Sequence, residues 1–270
     1  ELFMVNHRAL QKSSNLSDIR AVGSVADGAT LERMASMDLA SLCDIVELRV
    51  DTWPDRAEEG VSQARLSPVP VLVTVRRPGE GGQNDLPAAE RIRLAGMFLP
   101  VAEFLDVEIA SMDEMAGLVA EARAAGVIVV ASSHDFSVTP PVEELRQKRE
   151  AAMAAGADVV KFATTLRSTA DIATLAALLE EPGHPPTSVM GMGRQGRVSR
   201  LLLAQLGSVL NYGYLDRATV PGQWPAASGP DHGSTDPRPA DSGQAGPESG
   251  CAIERYPPMG AAGFRGPARR

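Results

Sequence analysis

The sequence predicts a single α/β domain folded as a (β/α)8 TIM barrel, in which parallel strands alternate with helices. Three observations carry this. Short Val/Ile-rich runs alternate with longer helical stretches from residue 20 onward, the order that βαβ units produce. Eight such units in about 210 residues fit a closed barrel at the small end of its range. Several runs also alternate apolar with charged residues, so one sheet face packs against helices while the other lines a polar interior. An open doubly wound sheet is the alternative.

Taken in order, the first strand covers 21–26, and a helix follows over 30–37 with Thr30 as its N-cap. Strands are expected at 44–51 and 69–76, with a weaker helical pattern over 55–66 between them. After a Gly-rich loop, a helix over 87–99 leads to a strand at 104–109. The remaining strands are 127–133, 158–162, 187–190 and 210–215, interleaved with helices near 112–124, 141–155, 168–180 and 196–206. Residues 1–19 read as an N-terminal extension and 20–228 as the barrel. From Gly229 to Arg270, fifteen of forty-two residues are Gly or Pro, and the isolated Ile253, Tyr256, Met259 and Phe264 keep no helical or strand spacing. That segment reads as a disordered tail.

Composition narrows the function classes. A net charge of -8, with no basic stripe interleaved with aromatics, argues against nucleic-acid binding. No run of about 18 apolar residues exists and the N-terminus shows no hydrophobic signal core, so a soluble, cytoplasmic protein without membrane contact is expected. The cysteines Cys43 and Cys251 make neither a disulfide framework nor a metal site, and Cys43 reads as a small core residue.

Of the 26 basic residues only three are lysines, and Lys161 stands apart among them. It lies in Gly156-Ala157-Asp158-Val159-Val160-Lys161-Phe162-Ala163, a short buried strand, whereas Lys12 and Lys148 sit in polar surroundings. A buried lysine can lose its proton and act as a nucleophile, which arginine cannot do. Taken alone, Lys161 is equally consistent with a strand-end amine that reaches water or pairs with a carboxylate.

Charges recur on the strands around it. Glu47, Arg49 and Asp51 share one face of the second strand, Thr74 and Arg76 one face of the third, and Asp106 and Glu108 one face of the fourth. Functional groups of a barrel sit at C-terminal strand ends, where Glu47, Arg49, Arg76, Glu108, His134 and Lys161 fall at or near. Charge delivered by five strands to one rim points to a polar ligand. His134, which alone would read as a structural hydrogen-bonder, gains a second reading from the lysine on the next strand. An imine on that lysine acidifies the adjacent C–H, and a neutral imidazole suits the removal of that proton. Glu80, in a flexible Gly-rich loop, is placed to orient the imidazole; alone it reads as an exposed turn acid.

Gly191-Met192-Gly193-Arg194-Gln195-Gly196 spells G-x-G-x-x-G, with Asp216 twenty residues past its last glycine. A dinucleotide-binding domain needs more βα units than follow, so these glycines are read as a tight loop above the seventh strand.

Together, Glu47-Leu48-Arg49-Val50-Asp51, Thr74-Val75-Arg76 with Glu80-Gly81-Gly82, Ser133-His134-Asp135-Phe136, Gly156-Ala157-Asp158 with Lys161, Met190-Gly191-Met192, Gly196 with Ser199-Arg200, and Pro221-Gly222-Gln223 resemble the type I 3-dehydroquinate dehydratases. The resemblance covers about residues 20–225. It implies dehydration of 3-dehydroquinate to 3-dehydroshikimate in the shikimate pathway, with no metal or organic cofactor. By the same resemblance Lys161 forms an imine with the C3 ketone. His134 removes a C2 proton and protonates the departing C1 hydroxyl in a syn elimination, held by Glu80. Glu47, Arg49 and Arg76 bind ring hydroxyls or support that network, Arg200 clamps the carboxylate, Met190 and Met192 shape an apolar wall, and Gln223 closes over the substrate. Thr219 stands where the family usually has serine. The partner expected is the small-molecule substrate, and a homodimer is compatible with these features. The family ends with a helix after the Pro-Gly-Gln loop, whereas here Trp224-Pro225-Ala226-Ala227 leads into the tail, so by the resemblance the barrel has its final helix missing or replaced. Two other classes stay open: an inactive or ligand-binding relic, because a lost helix leaves a barrel wall bare, and another class I Schiff-base lyase or aldolase.

Overall fold

The computed structural model describes residues 16–216 and 223–226. Among them the strands are β1 (Arg20–Val25), β2 (Ile45–Arg49), β3 (Val71–Thr74), β4 (Phe104–Glu108), β5 (Ile128–Asp135), β6 (Val159–Thr165), β7 (Thr187–Met192), β8 (Leu210–Tyr214) and β9 (Trp224–Pro225). The sheet runs β7-β6-β5-β4-β3-β2-β1-β8-β9, and every recorded pairing is parallel. Sequential order without reversal excludes the doubly wound alternative, which needs a point where the strand order turns back. Across the remaining seam between β7 and β8, Val209 N donates to Thr187 O at 3.2 Å and Ser188 Oγ to Leu210 O at 2.6 Å. Ser208 Oγ adds bonds to the backbone of Val189.

The side-chain period of two sorts residues into two cores. Val46, Leu48, Val73, Leu105, Val107, Val129, Val160 and Phe162 pack outward with the helices. Ile45, Leu72, Phe104, Val130, Val159 and Leu210 fill the floor of the barrel interior. Two residues further along β2, β4 and β6 the same inward positions become Glu47, Asp106 and Lys161. The interior is thus apolar at its base and ionised above.

Helices form where apolar residues recur at helical spacing. The helix Ala88–Phe98 buries Arg91, Leu94, Ala95 and Phe98, and Thr169–Leu179 buries Ile172, Leu175, Leu178 and Leu179. Ala57–Leu66, Ala116–Ala124, Val142–Ala154 and Gly196–Gln205 complete the long helices among the described residues. Gly196–Gln205 turns Leu203 and Ala204 inward but leaves Val198, Leu202 and Leu206 exposed. After β8 the described residues hold β9 and, at Ala226, a 3-10 position; the expected tail at 229–270 lies outside the described residues, as does most of the 1–19 extension. No described helix is long and apolar enough to cross a membrane.

Several local expectations change. The first helix begins at Gly28, capped by Asp27, whose Oδ1 accepts from Thr30 N at 2.8 Å, so Thr30 is inside the helix and is not its cap. A short helix, Leu39–Leu42, and the strand β9 are additions. β2 stops at Arg49, and Asp51 sits in a 3-10 turn over Val50–Thr52, off the strand face it was expected to share. β5 and β6 run longer than expected, which puts His134 within a strand and Lys161 in the middle of one. Gly191 is a strand residue whose replacement would bring a Cβ within 2.2 Å of Leu166 and 2.5 Å of Ser199 Oγ, so the glycine permits close helix–strand packing. Asp216 pairs with Arg33 at the surface. Cys43 is buried, as expected, and burial pushes its thiol up to about 11.

Candidate active site

Register brings the reactive pair together. On the paired strands β5 and β6, Ser132 lies opposite Lys161 and His134 opposite Ala163. His134 and Lys161 therefore share the inward face, two residues apart along neighbouring strands. Both line a cavity of about 190 Å³ at the C-terminal end of the barrel. Glu47, Arg49, Arg76, Glu80, Met190, Met192, Arg200 and Gln223 line it as well, so ten of the eleven expected site residues meet in one place. Thr219 lies outside the described residues.

Lys161 is 3% exposed, and its Nζ donates to Asp106 Oδ2 at 3.0 Å. Burial pushes its proton affinity down; the Asp106 charge opposes that and Arg76 reinforces it, with a net shift below the usual amine range. The ammonium is thus easier to deprotonate than a free lysine. On its other side the Tyr212 ring lies with its centroid 3.9 Å from Nζ.

Beneath the amine runs a buried charge array. Arg76 Nη1 contacts Asp106 Oδ1 at 3.0 Å, Glu108 Oε1 at 2.9 Å and Ser132 Oγ at 2.6 Å. Ser132 Oγ in turn donates to Asp106 Oδ1 at 2.6 Å. Burial alone would raise the Asp106 carboxyl, but Arg76 and Lys161 outweigh it and hold it well below the usual range. Arg91, from the helix Ala88–Phe98, reaches Glu108 Oε2 at 3.0 Å and also bonds Glu114 and Ser111. Lys161, Arg76, Arg91, Asp106 and Glu108 each have a partner of opposite sign, the condition for burying charge at tolerable cost.

His134 is set by Glu80. Its backbone N–H donates to Glu80 Oε2 at 2.8 Å, and its ring Nδ1 lies 3.1 Å from the same oxygen. A carboxylate can only accept there, which assigns the ring proton to Nδ1 and leaves Nε2 with a free lone pair. Burial, with Arg76 and Lys161 nearby, drives the imidazole well below its ordinary pKa, so it is neutral at pH 7. Burial also raises Glu80, against the hydrogen bond from His134 that lowers it. Glu80 ends a 3-10 turn, Pro78–Glu80, capped by Gly81 at φ 90, a left-handed conformation natural to glycine. A Cβ at Gly81 would also come within 2.9 Å of the Phe136 ring.

The supporting residues are engaged in defined ways. Glu47 accepts from Ser24 Oγ at 2.6 Å and Thr74 Oγ1 at 2.8 Å. Arg49 forks onto Asp51, with Nε and Nη2 each 2.9 Å from a carboxylate oxygen. Asp51 also accepts from Arg76 N and Gln83 N, so from its turn it braces the loop that carries Glu80. Arg200 differs from the other arginines here. Its Nη1 donates to Tyr212 O at 2.9 Å, its Nε has no hydrogen-bond partner, and no carboxylate pairs with it among the described residues. Burial pushes this guanidinium down to about 10. A buried cation without a counter-ion on the rim of a cavity is a seat for an anionic ligand group. Gln223 is buried at the same cavity.

Sequence reasoning left three groups without a role: Asp106, Ser132 and Tyr212. Asp106 offered a signal, a carboxylate in the middle of an apolar strand two residues before Glu108. Ser132 and Tyr212 offered none, because either is ordinary in a strand until register, for Ser132, or the approach of β8 across the barrel interior, for Tyr212, sets it beside Lys161.

Comparison with known proteins adds an independent line. A family model described as type I 3-dehydroquinase matches residues 26–228. The 3-dehydroquinate dehydratase of Lactiplantibacillus plantarum is 35% identical over 199 residues, covering 68% of this chain and 79% of that protein. A chloroplastic bifunctional 3-dehydroquinate dehydratase/shikimate dehydrogenase of Arabidopsis thaliana is 33% identical over 67% of this chain, which spans 30% of that longer protein. Among solved structures, 3-dehydroquinate dehydratase from Geobacillus kaustophilus superposes with a TM-score of 0.69 at 26% identity, covering 76% of this chain and 86% of that one.

Proposed function

This chain belongs to the type I 3-dehydroquinase family, and we propose from that premise how its own residues dehydrate 3-dehydroquinate in the shikimate pathway. The observation that supports the assignment of roles is the pairing of a buried amine, Lys161, with a neutral imidazole, His134, on one face of adjacent strands in one cavity.

Arg200 receives the substrate carboxylate, which supplies the missing counter-charge. Lys161 passes its ammonium proton to His134 Nε2 and attacks the C3 ketone as the neutral amine; His134 returns that proton to the carbinolamine oxygen, which leaves as water, and the protonated imine that remains draws electrons from the neighbouring C2–H bond. His134 Nε2 takes the C2 proton, forming an enamine and an imidazolium that Glu80 stabilises through Nδ1–H. The enamine then expels the C1 hydroxyl, which accepts the proton from Nε2 and departs as water. One base serves both transfers on one ring face. Hydrolysis of the imine consumes the water released at its formation and frees 3-dehydroshikimate, so the net loss is one water. Met190 and Met192 form the apolar wall, and Glu47, Arg49 and Arg76 hold the polar floor. Gln223, and Thr219 from the neighbouring segment, contact the substrate.

The test is conversion of 3-dehydroquinate by the purified protein, followed through the enone absorbance of the product, beside Lys161→Ala and His134→Ala. Loss of at least about a thousandfold in kcat is expected for both, since each removes a group required in the transition state. Retention of activity by Lys161→Ala would refute the assignment.

A further inference from the structure

Lys161 is held between a carboxylate and an aromatic face, and only the carboxylate has an evident purpose. Asp106 pairs with the ammonium at 3.0 Å. Tyr212 approaches from β8, with its ring centroid 3.9 Å from Nζ, inside the reach of a cation–π contact. Tyr212 is 6% exposed, and its hydroxyl has no hydrogen-bond partner among the described residues. A buried tyrosine kept for its hydroxyl normally pairs it. Here the group in use is the ring.

We propose that Tyr212 is a positioning residue for the imine chemistry, its ring face holding the cationic nitrogen of Lys161 both as the resting ammonium and as the iminium that replaces it. The proposal rests on the role given to Lys161 above. When the neutral amine has attacked the ketone and the oxygen leaves as water with a proton from His134, the nitrogen regains one positive charge at nearly the same place. The negative face of the ring attracts that cation and has little hold on the neutral amine, so it favours iminium formation. A carboxylate does this too, but it can also accept the nitrogen's proton. The ring stabilises positive charge without being a base. Burial keeps the phenol itself protonated, with Glu47 adding to the effect.

The charged and titratable groups facing Lys161 are Asp106 from β4, Arg76 beyond β3, Glu47 from β2 and His134 from β5. Substitution at Tyr212 leaves all four in place. The test is the single-turnover rate of borohydride-trapped adduct on Lys161 with 3-dehydroquinate, measured across pH for the wild type, Tyr212→Phe and Tyr212→Leu. Tyr212→Phe keeps the ring and should trap within about threefold of the wild-type rate. On the high-pH plateau, where the amine is already neutral, Tyr212→Leu should trap on the same lysine about tenfold more slowly or worse, by the strength of a desolvated cation–π contact. Its KM should change little, because Arg200 still binds the carboxylate, and the pH at which trapping becomes half-maximal should fall, because the ammonium has lost its aromatic partner.

Should circular dichroism show Tyr212→Leu unfolded, Tyr212→Met, with similar bulk and no aromatic face, gives the same reading. Equal rates and pH profiles for the ring-bearing and ringless variants would overturn the proposal, as would a Tyr212→Phe variant as slow as Tyr212→Leu, which would move the role to the hydroxyl. A wild-type protein that traps nothing on Lys161 would instead overturn the underlying reading of Lys161.

Discussion

Arg200 carries a buried charge that no described carboxylate answers. Such a group costs stability in the free protein and returns it on binding an anion. Arg200→Met is therefore expected to raise KM for 3-dehydroquinate and cut kcat/KM by a hundredfold or more, while the melting temperature stays level or rises. A marked fall in melting temperature would mean that the guanidinium is structural. His134 makes a second prediction at this scale. Its proton affinity is lowered by burial and by Arg76 and Lys161, so the base form persists below the ordinary histidine pKa of 6.5. The acid limb of log kcat against pH should thus have its midpoint below 6.5, and a midpoint at or above that value would contradict the site's electrostatics. At the residue scale the sequence was readable where scarcity or motif singled a residue out: Lys161 as a rare lysine in an apolar run, His134 beside it. Asp106 and Tyr212 became visible only in three dimensions, because they meet Lys161 across 55 and 51 positions of chain respectively.

At the scale of elements, the charge array ties β4 to its helix. Glu108 accepts from Arg76 on one oxygen and from Arg91 on the other, joining the barrel interior to Ala88–Phe98. Glu108→Ala takes one carboxylate from each of two buried guanidinium groups, leaving Arg76 only Asp106 and Arg91 only Glu114, and is expected to destabilise the protein by about 3–5 kcal/mol, as measured by denaturant unfolding. A cost below about 1 kcal/mol would show that water or rearrangement replaces the pair. The existence of the elements followed from periodicity, and the inward face of β2 was legible from its alternation of valine and leucine with charge. The ends were harder. Asp51 keeps the alternation of β2 but belongs to a turn, because its carboxylate satisfies Arg49 and two backbone N–H groups there. Likewise Asp27, just before the first helix, captures the Thr30 N–H and takes the capping place that Thr30 was expected to hold.

For the whole molecule, burying ionisable groups links stability to pH. Below pH 6.5 the unfolded chain binds a proton at His134 that the folded protein resists, so stability falls as pH drops from that value, by up to about 1.4 kcal/mol per unit. Asp106 acts in the same direction only below 3.8, since its carboxyl is held down in the fold. Glu80, raised in the fold, contributes stability at low pH that is lost as pH rises through its folded value. The expected readout is the difference between proteins: from pH 6.5 to 5, wild type should lose more stability than His134→Gln, by at most about 1.7 kcal/mol. Parallel loss in both would contradict a neutral, buried His134. Barrel architecture was legible from the order of the strands, because βα repetition and strand composition act locally along the chain. The bare stripe of Val198, Leu202 and Leu206 was not, since exposure depends on what packs beside a helix.

The central claim is that Lys161 is the nucleophile, and borohydride reduction of the protein with 3-dehydroquinate, followed by peptide mapping, tests it most directly. Reduction fixes an imine as a stable amine. The account predicts a single adduct, on the peptide that contains Lys161. An adduct on Lys12 or Lys148, or turnover of substrate with no adduct at all, would contradict it.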